Sequence, residues 1–172
     1  LIHKLTDLIH TYNVLILSGG VSKGKYDYIP EALAACGVDQ HFHNVKQRPG
    51  KPFWFGDFRD QCYVFGLPGN PVSTQICFFR FVRPFIDQWA GKQQIPPTQV
   101  QLGDDISFTF NMRFFPLVRY DKTNNQVYRV PNNSSGDVVS IGLSDGFIEL
   151  NEEKSHYRTG DTVPFYTWES QG

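Results

Sequence analysis

Two cations that flank a proline-rich turn, Arg48 and Lys51, predict an anion-binding function. They lie in the run R-P-G-K-P, a turn too tight for regular secondary structure, and its prolines hold both charges in place. Arginine offers a planar fork of donors and lysine a point charge, a combination that suits phosphate or a small tetrahedral oxyanion. The alternative is a basic turn whose charges are only solvated.

A glycine-rich loop, S-G-G-V-S-K-G-K at residues 18–25, follows the apolar run V-L-I-L and precedes an acidic residue, Asp27. Its spacing nearly matches the phosphate-binding P-loop, but Tyr26 stands where that motif requires the Ser or Thr that binds Mg²⁺. A carboxylate beside a phosphate-binding loop can hold a divalent cation that bridges phosphate oxygens. The alternative role of Asp27 is to cap the helix predicted to begin near Tyr28, and the two roles are compatible.

A second loop has the sequence F-G-L-P-G-N-P-V-S and connects a short apolar run to a long one. Gly66 and Gly69 allow the backbone to approach a ligand and to adopt φ values that other residues resist. Pro71 suits the first turn of a helix, and Asn70 or Ser73 can supply hydrogen bonds there. A strand, a glycine turn and a helix N-terminus form an anion site from backbone N–H groups. The alternative is a strand-to-helix turn without a ligand.

The composition is that of a globular protein with a core, since 40% of the 172 residues are hydrophobic and 19% are charged. The formal net charge of −1 gives no overall attraction to nucleic acid or to an anionic membrane, and no apolar run is long enough to span one. We therefore expect neither partner. The three cysteines lack metal-ligand spacing, which favours reduced, partly buried thiols in a cytoplasmic protein. His41 and His43 share a strand face, where we expect surface positions rather than a metal site.

The periodicities in residues 1–94 predict an α/β layer with a parallel sheet and helices. Residues 1–12 carry apolar side chains at helical spacing, and the apolar run after them is typical of a parallel strand buried on both faces. The next elements are predicted as a helix, a strand, a hairpin and a long helix, at residues 28–36, 38–46, 53–65 and 72–89. In such a layer ligands bind at the carboxyl ends of the strands.

A second domain is predicted over residues 95–172, which begin with the linker I-P-P-T. Short strand-like runs alternate there with turn-forming clusters of Asn, Ser, Gly and Asp, and no helical pattern is present. The strand-like runs cover residues 100–110, 115–120, 126–130, 138–141, 146–149 and 163–167. This pattern predicts a small antiparallel β-barrel or sandwich.

Three of these motifs, in this order and spacing, resemble the molybdopterin molybdenumtransferase family, which includes MoeA and the E domain of gephyrin. They are the glycine loop with Asp27, the R-P-G-K-P turn and the F-G-L-P-G-N-P-V-S loop. The later runs S-S-G-D-V-V-S-I and D-G-F-I resemble the C-terminal β domain of that family. The resemblance implies the later part of a MogA-like, pterin-binding α/β domain, followed by that small β domain.

The resemblance also implies a reaction, the Mg²⁺-dependent (or Zn²⁺-dependent) insertion of molybdate into adenylylated molybdopterin with release of AMP. Asp27 matches the family's catalytic and metal-binding acid. The residues implied to bind the pterin substrate are Ser18, Gly19, Gly20, Ser22, Gly24, Pro68, Gly69, Asn70, Pro71 and Ser73. The residues implied to bind molybdate are Arg48, Lys51 and Ser135, with Arg113 as a looser candidate.

The chain departs from the family pattern in two ways. Arg48 stands where the family usually has lysine, so a planar fork replaces a point charge. The first half of the pterin domain and two further N-terminal domains of the family are not in this sequence. We therefore expect a C-terminal portion that is inactive by itself and that belongs to a homodimer in the full-length protein.

Two other functions stay open at this point. The gephyrin branch uses the same domains as a peptide-binding scaffold, and aromatic residues of the β domain could line its groove, although strand alternation places many of them in the core. These residues are Phe108, Phe110, Phe114, Phe115, Phe147, Phe165 and Tyr166. A nucleotide hydrolase is the third hypothesis, and its nucleotide binding would depend on Lys25.

Overall fold

The computed structural model describes residues 1–21, 28–131 and 137–169. Up to residue 89 the elements are α1 (Ile2–Thr11), β1 (Val14–Ser18), α2 (Ile29–Ala35), β2 (Asp39–His43), β3 (Gln47–Arg48), β4 (Trp54–Phe58), β5 (Cys62–Leu67), α3 (Pro71–Cys77), a π-helical stretch (Phe78–Val82) and α4 (Arg83–Trp89). After residue 89 they are β6 (Thr98–Leu102), β7 (Ile106–Ser107), β8 (Arg113–Phe114), β9 (Leu117–Asp121), β10 (Gln126–Arg129), α5 (Val138–Gly142), β11 (Gly146–Ile148), β12 (His156–Tyr157) and β13 (Thr162–Thr167).

The chain divides into two compact units. The first unit comprises Leu1–Val45 and Gly50–Cys77, and the second comprises Lys46–Pro49 and Phe78–Gly172. The long helix predicted at residues 72–89 is present as three successive helical stretches, α3, the π-helical stretch and α4. The division into units therefore falls within this helical region, whereas the sequence predicts a domain boundary after residue 94. The domain limits stay a prediction.

The first unit is built on a sheet in the order β1-β5-β4-β2. β1 and β5 run parallel, with Val14 opposite Tyr63 and Ser18 opposite Leu67. β4 pairs with β5 and with β2 in the antiparallel sense. The predicted parallel strand and hairpin are thus confirmed within a mixed sheet. The expectation that β1 is buried on both faces is wrong, because none of its residues is fully buried and Ile16 is exposed. The strand predicted to reach residue 46 ends at His43.

Helices α1 and α2 contribute side chains to the hydrophobic core of the first unit. Leu5 and Ile9 of α1 lie one helical turn apart and are buried together with Leu33 of α2. Sheet residues such as Trp54 and Val64 belong to the same cluster. The helical spacing in the first twelve residues therefore predicted both the helix and its buried face.

The second unit contains a closed barrel in the strand order β10-β6-β13-β11-β9. Alternate barrel residues such as Val100, Leu102 and Val163 are fully or almost fully buried. The barrel confirms the fold class predicted for this part of the chain. One pair departs from the expected antiparallel pattern, because β10 runs parallel to β6 with Gln126 opposite Gln101.

Most of the aromatic residues considered for a peptide groove lie in the core of the second unit. Phe108, Phe115, Phe147 and Phe165 are buried. Phe110 and Phe114 are half-buried against the same cluster, and Tyr166 is also half-buried. The expectation from strand alternation is confirmed, and these positions leave little aromatic surface for a peptide.

The strand predicted at residues 138–141 is wrong, because this segment forms helix α5. The carboxylate of Asp137 accepts a hydrogen bond from the backbone N–H of Ser140 at 3.2 Å and caps the helix. The exposed side chains of Val138 and Val139 have the β propensity that suggested a strand. The cap outweighs this β propensity because the side chains of Val138 and Val139 are exposed, so a strand here would gain little stability from their burial.

Candidate functional site

Two loops meet at the carboxyl ends of the parallel strands β1 and β5, where the sequence predicted a ligand. The backbone N–H of Gly19 donates a hydrogen bond to the carbonyl of Leu67 at 3.0 Å, which extends the pairing of the strands by one residue. A Cβ atom built on Gly69 would lie 3.3 Å from the Cα of Gly19. The Ser18 hydroxyl lies 3.5 Å from the carbonyl oxygen of Pro68, so a candidate residue takes part in each of these three close approaches between the loops.

Gly19 and Gly20 both have the left-handed backbone conformation, with φ of 83° and 72°. Residues with a side chain rarely adopt this conformation. The carbonyl of Gly20 accepts a hydrogen bond from Ile29, the first residue of α2. A Cβ on Gly20 would lie 2.7 Å from the Ile29 side chain, so this glycine also allows the loop to pack against the helix.

The second loop is fixed by hydrogen bonds at the start of α3. The side-chain oxygen of Asn70 accepts from the backbone N–H and the hydroxyl of Ser73, both at 3.4 Å, as the sequence predicted for this position. Pro71 is the first helical residue. Thr74, which the sequence analysis missed, donates its hydroxyl hydrogen bonds to the carbonyls of Pro68 and Asn70. A Thr four residues after an Asn-Pro helix start was the signal that could have revealed it.

The reason that the sequence analysis gave for Gly66 is wrong. Gly66 and Gly69 do not have positive φ angles. A Cβ on Gly66 would lie 2.7 Å from the Val21 side chain and 3.1 Å from the Cβ of Trp54, so the protein itself fills the space beside this residue. Gly66 therefore serves packing within the sheet rather than the approach of a ligand.

His43 anchors the beginning of the glycine loop, although the sequence predicted only a surface position for it. Its Nε2 atom lies 2.6 Å from the carbonyl oxygen of Val21, to which the ring donates. Val21 itself is fully buried. The neighbouring His41 pairs with Asp57 at 2.6 Å. His43, on the edge strand β2, thus holds Val21 in place. Val21 is the residue just before the segment that contains Ser22, Gly24 and Asp27.

Several predicted site residues lie outside the described part of the chain. They are Ser22, Gly24, Asp27 and Ser135, together with Lys25 of the alternative P-loop interpretation. Within residues 1–21, 28–131 and 137–169 no group of three His, Cys, Asp or Glu side chains is arranged to hold a metal ion. The N-cap of α2 is Tyr28, which makes no side-chain capping hydrogen bond.

Arg48 belongs to the second unit and lies in strand β3, so the expectation of a turn without secondary structure is wrong at this residue. β3 pairs with β8 in the parallel sense, with Arg48 opposite Phe114. The Arg48 carbonyl accepts a hydrogen bond from the N–H of Phe115 at 2.9 Å. Its side chain is exposed, and its guanidinium carbon lies 4.8 Å from the ring centroid of Phe110.

Lys51 belongs to the first unit and is exposed. Its carbonyl accepts hydrogen bonds from the backbone N–H groups of Val45 and Phe53, both at 2.9 Å. In the described residues no carboxylate lies within ion-pair distance of either Lys51 or Arg48. Both cations therefore keep their donors for a ligand or for water.

Arg113, the looser molybdate candidate, is engaged in an ion-pair network. Its guanidinium donates to Glu149 at 2.8 Å, and Arg80 donates to the other oxygen of the same carboxylate at 2.8 Å. The Tyr166 hydroxyl also donates to Glu149, at 2.9 Å. Burial raises the pKa of Tyr166 to about 12, so this phenol stays protonated as a donor. Arg113 thus has fewer donors to offer a ligand than Arg48 has.

The carboxylate of Asp57 and the thiol of Cys62 are the buried titratable groups of the sheet. The N–H of Asp60, which donates to Asp57 at 2.8 Å, lowers the pKa of this carboxylate, and His41 lowers it further. Burial raises the pKa of the Cys62 thiol. Cys36, Cys62 and Cys77 are reduced thiols, as the sequence predicted.

Comparison with known families matches both parts of the chain. Residues 1–88, half of the chain, match a family described as "Probable molybdopterin binding domain", and residues 99–168 match "MoeA C-terminal region (domain IV)". The chain belongs to the molybdopterin molybdenumtransferase (MoeA) family. In the described residues of this MoeA family member no helix is long and apolar enough to cross a membrane.

Relatives and solved structures agree with this assignment. The molybdopterin molybdenumtransferase of Synechocystis is 38% identical over 161 residues, which cover 91% of this chain and 39% of that protein. The Staphylococcus aureus (strain Mu50) protein of the same name is 30% identical over 173 residues, 98% of this chain and 41% of that protein. The chain therefore spans about two fifths of the length of these relatives. The crystal structure of a MoeA protein from Pyrococcus horikosii has the same fold, with a TM-score of 0.79 over 98% of this chain and 40% of that one, at 22% identity.

Proposed function

We propose that the protein to which this chain belongs acts in molybdenum cofactor biosynthesis, as a transferase that inserts molybdate into adenylylated molybdopterin with release of AMP. The observation that carries the proposal is the contact between Gly19 and Gly69, where the glycine loops of two parallel strands meet. Such an edge is where α/β sheets bind ligands. The names of the MoeA relatives support molybdopterin as the ligand.

The two loops are proposed to bind the pterin substrate and its phosphates. One wall consists of Ser18, Gly19 and Gly20, continued by Ser22 and Gly24. The other wall consists of Pro68, Gly69, Asn70, Pro71 and Ser73. Backbone N–H groups beside glycines accommodate phosphate oxygens closely, because no Cβ stands in the way. Since Asn70 and Ser73 hydrogen-bond one another, their side chains fix the second wall in addition to any contact with substrate.

Arg48, Lys51 and Ser135 are proposed to bind molybdate. When the oxyanion is held beside the dithiolene of the bound substrate, the two reactants no longer have to meet in solution, which lowers the barrier to reaction. Two thiol sulfurs bond to molybdenum while one molybdate oxygen leaves as water with the two thiol protons, so the step needs no oxidant or reductant. AMP leaves when water attacks the pyrophosphate bond between the adenylyl group and the pterin phosphate. The fixed cations neutralise the oxyanion that approaches the thiols.

Asp27 is proposed to hold Mg²⁺ (or Zn²⁺), which when bound would neutralise the phosphate oxygens of the substrate. The described residues supply no metal cage of their own, so we derive no step through the ion. A homodimer and a cytoplasmic location are proposed on the family resemblance. The scaffold alternative is not favoured, because the aromatic residues considered for its groove are mostly in the core.

The test uses the full-length protein with adenylylated molybdopterin, Mg²⁺ and molybdate. We expect pterin binding and molybdate-dependent AMP release, both lost in Asp27→Ala and kept in Asp39→Ala, which changes an exposed acid on β2. ATP is titrated in parallel. Preference for ATP over the pterin would establish the nucleotide hydrolase instead. Binding of neither would refute the transferase and leave the scaffold to be tested.

A further inference from the structure

We propose that Phe110 is a positioning residue for the oxyanion-binding arginine, Arg48. The inference rests on the proposed function of Arg48 as a molybdate ligand. It adds a residue to that site and explains how an arginine serves there. Both residues belong to the second unit.

The backbone of Arg48 is held by strand pairing. Its carbonyl accepts from the N–H of Phe115 at 2.9 Å, and the N–H of Arg113 donates to the carbonyl of Lys46 at 3.1 Å. These two hydrogen bonds flank Arg48 on the β3–β8 ladder. The first atoms of the side chain therefore leave the backbone in a fixed direction.

The guanidinium end of Arg48 is held by the face of the Phe110 ring, at 4.8 Å from the ring centroid. A guanidinium at this distance is attracted by the negative face of an aromatic ring. The ring is itself supported, because Phe108 stacks on it at 5.0 Å and Phe114 meets it edge-on at 5.1 Å. Phe110 thus forms a rigid platform beneath an exposed cation.

The contact with the Phe110 ring uses no carboxylate, and in the described part of the chain no carboxylate lies within ion-pair distance of Arg48, so its N–H donors stay available to a ligand. Arg80 and Arg113, in the same unit, differ from Arg48 because each donates to the carboxylate of Glu149. A tetrahedral oxyanion can accept two parallel hydrogen bonds from the free edge of Arg48. A lysine at this position would keep the charge but would lack the planar fork of donors.

The experiment is a calorimetric titration of the full-length protein with sodium molybdate. Phe110→Leu keeps an apolar side chain but removes the ring face, and we expect it to raise the Kd for molybdate roughly two- to five-fold. Phe110→Tyr keeps the ring face and should restore the wild-type Kd. Phe85→Leu is the matched control, because it removes a half-buried ring of the same unit that packs on Trp89 rather than on Phe110, and it should leave the Kd unchanged.

A double-mutant cycle separates positioning from a general structural effect. In an Arg48→Ala background, Phe110→Leu should produce no further change in the Kd, because the group that Phe110 positions is gone. The side-chain Nε–H proton signal of Arg48, shifted upfield by the ring in the wild type, should move downfield in Phe110→Leu and stay in place in Phe110→Tyr.

The outcomes distinguish this inference from the function on which it rests. If the wild-type protein binds molybdate and Phe110→Leu binds it equally well, the positioning role is refuted while the transferase proposal stands. Equal losses in Phe85→Leu and Phe110→Leu, or a further loss in the Arg48→Ala background, would also refute it. If the wild-type protein does not bind molybdate, the molybdate site and its positioning residue are both refuted.

Discussion

The Cα atom of Gly19 lies 3.3 Å from the place where a Cβ atom on Gly69 would stand. The two glycines follow different strands, and backbone meets backbone at this point, so neither side can move away as a flexible side chain would. The separation of the two loops is therefore set by the absence of a side chain at residue 69.

Gly69→Ala should separate the two loops by a few tenths of an ångström. We expect a loss of roughly 1–3 kcal/mol in the free energy of unfolding from overpacking, and weaker binding of adenylylated molybdopterin. Urea denaturation and a binding titration on the full-length protein measure the two effects. Gly142→Ala is the matched control, because Gly142 has open space around its Cβ position and should tolerate the methyl group. If Gly69→Ala were as stable as Gly142→Ala and bound the pterin as tightly, the proposed contact would be contradicted.

Glu149→Gln should destabilise the second unit. The carboxylate of Glu149 is 13% exposed and accepts from Arg80, Arg113 and Tyr166. The amide keeps the shape of the side chain but removes the charge that balances two guanidinium groups. Because both guanidinium groups are partly exposed to water, we expect the free energy of unfolding to fall by roughly 2 kcal/mol. Thermal and urea unfolding measure the loss. Glu153→Gln, an exposed neighbour, should change stability by less than about 0.5 kcal/mol. A comparable loss in both variants would argue against the network.

The parts of the fold that the sequence predicted correctly are those with strong local periodicity. The spacing of Leu5 and Ile9 identified the buried face of α1, and the continuous apolar run identified β1 as a parallel strand. Turn residues bounded the hairpin of β4 and β5. These features depend on neighbours close in the chain, which a single sequence displays directly.

The features that the sequence did not predict depend on partners distant in the chain. Arg48 is in a strand only because β8, more than sixty residues later, supplies the pairing. Gly66 is required by Val21 and Trp54, and His43 reaches Val21 across the sheet edge. The candidate residues were identified from the order of motifs rather than from geometry. Thr74 was missed because it belongs to no motif, and His43 was expected only as a surface position because its partner Val21 is distant in the chain.

Asp137→Ala should remove the cap that makes residues 138–142 helical. The carboxylate accepts from the N–H of Ser140 at 3.2 Å and from its hydroxyl at 2.7 Å. We expect a loss of about 1 kcal/mol in the free energy of unfolding, measured by urea denaturation. Asp137→Asn keeps a capping oxygen and should retain most of the stability. If the asparagine variant were as unstable as the alanine variant, the charge of Asp137 rather than its capping geometry would be responsible.

Asp57→Asn should make the first unit less stable at neutral pH and should alter its acid unfolding. The N–H of Asp60 holds the pKa of the Asp57 carboxyl below its ordinary value, with a smaller effect from His41. Because the folded-state pKa is the lower one, the stabilisation is present above the unfolded-state pKa of about 3.9 and is lost as the pH falls through the folded-state pKa.

The difference in stability between wild type and Asp57→Asn should therefore be constant above about pH 5 and should shrink as the pH falls below about 4. At neutral pH we expect a difference of about 1–3 kcal/mol, since the variant leaves donors without their charged acceptor. Urea denaturation at a series of pH values measures it. Asp60→Asn, in the same turn, is the control and should follow the wild-type profile because the backbone N–H of residue 60 remains. A pH-independent difference would show that Asp57 acts through packing rather than through its ionised carboxylate.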